Sequence, residues 1–165
     1  MDTFIHSTTG LVHVLTAIAA MVVGVWILII RKGTRIHRLL GYFYFYLMLA
    51  LNGTAFMLYG LFGTFGPFHV AAVASLITVL LGIVPAIRRK PGWLFRHLTY
   101  MYYSIVGLYA AFVSETLTRI PQSPFFTTVI FASIATVIFG ILIFKKMKPI
   151  WLKELRNTSE SSVQG

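Results

Sequence analysis

Residues 8–38 read TTGLVHVLTAIAAMVVGVWILIIRKGTRIHR. From Thr8 to Ile30 no side chain carries a fixed charge, and His13 is the one titratable group. A helix crosses the hydrocarbon of a bilayer with about 20 apolar residues, since no water is available there for open backbone groups. This stretch is long enough, and the cations Arg31, Lys32, Arg35 and Arg38 end it. A basic leader is missing and the apolar run is too long for a cleavable signal, so the segment is expected to stay in the protein as a membrane span.

Four further stretches have the same character: residues 39–62, 68–87, 98–117 and 125–144. The whole chain agrees with them. Of 165 residues, 58% are hydrophobic and only 11% charged, more apolar side chain than a soluble domain of this size can bury. The expectation is an all-α polytopic membrane bundle of five transmembrane helices in residues 1–148, followed by a partly disordered cytoplasmic tail, 149–165. Gly63 to Pro67, Pro91-Gly92, and Pro121 with Pro124 break the spans. Connections this short force neighbouring spans to run antiparallel. The absence of cysteine excludes disulfides, iron–sulfur clusters, thiolate-held zinc and covalently attached haem.

Charge sets the orientation, because cytoplasmic loops accumulate Lys and Arg. Every Lys and Arg except Arg119 falls in the first loop, the third loop or the C-terminal tail. The N-terminus is therefore expected outside and the C-terminus in the cytosol, in a plasma (cytoplasmic) membrane. The net charge of +10 reads as a topology signal and as a contact for anionic headgroups. It needs no nucleic acid.

The first two spans and the next two resemble copies of one hairpin. Each begins with a histidine, His13 or His69, and crosses to a basic loop with Gly33 or Gly92. Each loop ends in His beside Arg, as His37-Arg38 and Arg96-His97, and an aromatic run follows. A parallel repeat of this kind implies a pseudo-two-fold axis along the membrane normal. The expected core is thus four helices, with the fifth span outside it.

Ionisable groups inside spans are costly and are functional candidates. By depth, His13, His69 and Glu115 share an outer layer, and His37 and His97 share an inner one. On the fourth span His97, Met101, Ser104, Leu108, Ala111 and Glu115 follow at helical spacing. On the second, His37, Gly41, Tyr44 and Met48 form a stripe with Asn52 nearby. On the first, His13 lies on a row of small residues, Gly10, Ala17, Ala20 and Gly24, which lets helices approach closely. Glu115 with Arg119 one turn on reads either as a surface ion pair or as a second-shell or proton-carrying group.

The segment Lys32-Gly33-Thr34-Arg35-Ile36-His37-Arg38 with Gly41, His13 upstream, and His69, His97 and the Glu115 to Arg119 pair downstream resembles a family of bacterial predicted membrane proteins, a domain of unknown function. The resemblance covers most of the chain to about Phe144 and implies a small multi-span protein with no assigned activity. In architecture alone, histidines in two layers of a four-helix bundle also look like b-type di-haem membrane cytochromes. Three functions are open on the residues. The first is non-covalent haem b held by His13 with His69 and by His37 with His97, serving transmembrane electron transfer with a redox partner. The second is an outer zinc site of His13, His69 and Glu115. The third is a non-catalytic carrier, sensor or lipid-interacting subunit whose basic loop, Lys32, Arg35 and Arg38 with Arg96, contacts anionic lipid.

Overall fold

The computed structural model describes residues 8–58, 63–118 and 124–161, with side chains in the last stretch to Asn157. Within them lie five helices: α1 (Thr8–Ile29), α2 (Arg35–Ala55), α3 (Pro67–Arg88), α4 (Trp93–Thr118) and α5 (Phe125–Ser161). Three are long and apolar enough to cross a membrane, namely α1, α3 and residues Phe125–Asn157 of α5. α2 and α4 are of comparable length, and tyrosine, histidine and arginine lower their hydropathy.

The turn between α1 and α2 shows why Lys32-Gly33-Thr34 is written as it is. The last carbonyls of a helix have no partner within it, and Lys32 bends back to donate from Nζ to the carbonyls of Leu28 and Ile30, both at 2.8 Å. Gly33 then takes φ +79°, a conformation open to glycine without a side-chain clash. Thr34 caps the next helix, its Oγ1 accepting from the His37 backbone N–H at 3.1 Å. Such a cap contributes about 1 kcal/mol. At the other turns Pro67 starts α3, where its missing N–H costs nothing, and Gly92 turns the chain into α4 with φ +78°.

The first four helices close a ring, α1 on α2, α2 on α3, α3 on α4 and α4 on α1, and α5 packs along the outside of α4. Tyr44, Met48, Val79 and Ile105 meet at the centre of the ring. A second cluster, Tyr102, Val106, Phe144 and Trp151, joins α4 to α5, and the Tyr102 hydroxyl donates to the Gly140 carbonyl at 2.8 Å. The expected face of α1 is buried at Gly10, Ala20 and Gly24. On α4 burial is wider than the single expected stripe, because this helix touches neighbours on three sides. Large apolar side chains cover the outside, among them Trp26, Ile29, Phe131 and Phe139.

Two expected boundaries move. The second span was expected to reach residue 62, yet α2 stops at Ala55, just past Asn52-Gly53-Thr54, where glycine is a poor helix former and the Thr54 hydroxyl bonds back to the Ala50 and Leu51 carbonyls. The fifth span was expected to end at residue 144, and α5 does not stop there. It runs through Pro149, and Trp151 and Leu155 beyond it are buried. The apolar surface these two cover holds the helix together past the proline.

At Gly82 α3 lies close against α4: a Cβ there would lie 2.6 Å from the Met101 sulfur and 3.0 Å from the Met101 backbone nitrogen. At Gly107, on the same bundle, a Cβ would meet nothing within 4 Å. Gly82→Ala is therefore expected to destabilise the detergent-solubilised protein by about 1–3 kcal/mol through overpacking. Gly107→Ala is expected to be neutral or mildly stabilising. Thermal unfolding of the two variants side by side checks the contrast.

Candidate functional site

At the end of the bundle that carries the basic loops, the first turns of α2 and α4 bring His37 and His97 together. Their ring centroids are 6.2 Å apart and the planes stand at 86°. His97 Nδ1 lies 3.0 Å from the Gly82 carbonyl, which can only accept, so the proton is on Nδ1. In the neutral ring that leaves Nε2 with a free lone pair. His37 Nδ1 is buried with no hydrogen-bond partner among the described residues.

Neutral imidazole is the form that binds a metal. A cavity of about 40 Å³ adjoins the two rings, with Lys32, Gly41, Tyr44 and Met101 in its wall. As the side chains stand, that is room for an ion or a water.

Lys32 is the residue here that sequence reasoning misplaced. It was expected on an exposed basic surface with Arg35, Arg38 and Arg96. The three arginines are exposed, but Lys32 is 3% exposed. Its ammonium bonds two carbonyls of α1 and sits 5.3 Å from the centre of the Trp151 ring. Burial lowers its pKa, with Glu154 opposing the shift.

The opposite end is built differently. A cavity of about 570 Å³ opens among the first four helices and reaches Ser133 of α5, with His13, Asn52, Ser75, Ser114 and Glu115 in its wall. Much of the remaining lining is alanine, such as Ala71, Ala74 and Ala111. His13 Nδ1 is 3.0 Å from the Thr54 hydroxyl. That hydroxyl already donates to a backbone carbonyl of its own helix at 2.9 Å, so His13 is the donor. Sequence reasoning did not find Thr54, Ser75 or Ser114 as site residues, because hydroxyls are common in apolar spans and their partners, such as Ser133 for Ser114 and Asn52 for Ser75, lie on other helices.

His69 does not take part. Its Nδ1 accepts from the Gly66 backbone N–H at 3.1 Å, and its ring stacks on Phe65 with centroids 5.0 Å apart. It stands in the first turn of α3, two residues after Pro67, where the nearest open donor is the N–H that precedes the helix. Capping therefore turns the ring away from the cavity that His13 lines. The expected zinc set of His13, His69 and Glu115 is corrected accordingly: no three His, Cys, Asp or Glu side chains among the described residues group to hold a metal ion. Nor does the structure bring His13 and His69 into ring contact. Arg119, the expected partner of Glu115, lies outside the described residues.

The sequence profile of a family described as predicted membrane protein (DUF2306) matches residues 10–152. No curated protein and no solved structure matches the chain.

Lys32 provides the test of this end's construction. Lys32→Met keeps most of the buried stem but leaves the Leu28 and Ile30 carbonyls without their side-chain donor. It is expected to destabilise the protein by about 1–3 kcal/mol, seen as a lower thermal midpoint, whereas Met147→Leu, at a half-buried position on α5, is expected to change it little.

Proposed function

The chain belongs to this family of predicted membrane proteins, and on that premise we propose that it holds one b-type haem between His37 and His97 and serves electron transfer at the cytoplasmic side of the membrane. In this reading α2 and α4 span the bilayer along with α1, α3 and α5. The N-terminus lies outside, and the exposed arginines of the loops rest against anionic headgroups.

The observation that carries the reading is the meeting of the two rings, 6.2 Å apart and nearly perpendicular, across the bundle on α2 and α4, which also meet through Tyr44 and Ser104 at 3.1 Å. A metal–imidazole bond is about 2 Å, so two rings sharing one ion have centres roughly 6 Å apart. The hydrogen bond from His97 Nδ1 to the Gly82 carbonyl holds the tautomer and orientation a ligand needs, as backbone carbonyls commonly do for metal-bound histidine. On His37 the buried, unpartnered Nδ1 supplies a second donor. Lys32 in the same wall offers a cation to acidic substituents of the macrocycle. The open space is small, and a macrocycle would need Leu28, Met101 and Leu155, side chains in that lining, to move aside. When bound, haem iron accepts and donates single electrons. The chain's part is to hold it and to screen it with Tyr44, Ile105 and Leu98.

The count separates this reading from the two-haem arrangement anticipated by the sequence. Protein purified from haem-supplemented cells is expected to show a Soret band and one haem per chain. His37→Ala and His97→Ala are each expected to abolish it, while His13→Ala and His69→Ala leave it in place. A colourless wild-type preparation overturns the proposal, and so does a band that survives loss of both His37 and His97.

A further inference from the structure

The cavity at the far end from His37 and His97 has no part in that proposal, and its chemistry is distinct. It holds about 570 Å³, within the range of small-molecule sites, which combine apolar walls with a few convergent polar groups. Its emptiness follows from sequence: alanines and serines on facing helices leave space that the bulky Tyr44 and Met48 fill nearer the centre.

One polar group in this wall is incompletely used. Asn52 is 4% exposed. Its Nδ2 donates to the Met48 carbonyl at 2.7 Å and to the Ser75 hydroxyl oxygen at 3.3 Å, which assigns Oδ1 as the remaining end of the amide. Among the described residues that Oδ1 accepts no hydrogen bond. The proton of Ser75 likewise has no acceptor there. An amide oxygen and a hydroxyl proton thus stand side by side in an apolar site, where leaving either unpaired is costly. A carbonyl or ether ligand satisfies only Ser75. A hydroxyl satisfies both, donating to Asn52 Oδ1 and accepting from Ser75.

We propose that this cavity binds a neutral, lipid-soluble alcohol or phenol, its hydroxyl seated on Asn52 and Ser75 and its apolar body against the alanine-lined wall. His13 stands on the same wall, its Nδ1 3.0 Å from the Thr54 hydroxyl. The groups on the Asn52 and Ser75 side are uncharged and suit a neutral head, while Glu115 stands elsewhere in the lining. The site is independent of haem and is occupied with or without it.

The test uses the full chain in nanodiscs and a matched pair of radiolabelled probes, 4-nonylphenol and its methyl ether, which differ in the one donor. The phenol is expected to bind at least tenfold more tightly than the ether. Asn52→Leu, which removes the acceptor at similar volume, is expected to bring that ratio below threefold without weakening the ether. Ala111→Phe, which fills the cavity, is expected to weaken both probes at least tenfold. Equal binding of phenol and ether to the wild type means a crevice filled by acyl chains and overturns the proposal, as does a ratio unchanged in Asn52→Leu. Because the wild-type comparison needs no variant, a failure of either variant to fold leaves the test intact.

Discussion

In an apolar surrounding each main-chain polar group has to find its partner within the protein, and the end of α1 shows how much follows from one such pairing. Lys32 supplies the donor that the last carbonyls of α1 lack, and to do so it leaves the surface. That position places its ammonium by Trp151, where α5 returns past Pro149. It also sets the short turn that delivers Thr34 as the cap of α2 and His37 into its first turn. One capped helix end therefore positions α2, seats the end of α5 and puts a cation into the wall beside the two imidazoles.

α4 plays the corresponding part for the rest of the bundle. It is the helix shared by the four-helix ring and by the outer packing of α5. Its closeness to α3 depends on Gly82, whose missing side chain leaves room for Met101 and whose carbonyl receives the proton of His97. Packing and chemistry meet at that residue: the contact that joins the helices also fixes the tautomer of a candidate ligand.

The two ends of the bundle carry opposite chemistries for a physical reason. At the basic end two imidazoles face one another beside the buried ammonium of Lys32. At the other end, the cavity wall offers neutral amide and hydroxyl groups together with His13 and Glu115. In the proposed readings the first arrangement holds a metal centre and the second a neutral molecule dissolved in the membrane. The histidines that looked equivalent in sequence are thus divided: His37 and His97 meet, His13 bonds Thr54 of α2, and His69 caps its own helix.

What the sequence alone determined is what depends on composition and short-range order. Apolar length dictated the helices, the clustered cations marked one end of the bundle, and Lys32-Gly33-Thr34 specified a turn, because caps and turns are settled by neighbours within a few residues. The buried faces of α1 and α2 were legible for the same reason, as they obey the helical period. Only the tertiary structure decided which histidines meet, that Lys32 is buried, that α5 continues past Pro149, and that a cavity opens around Asn52 and Ser75. Each of those depends on the relative rotation and separation of helices distant in the chain, and residue spacing within one helix carries no information about that.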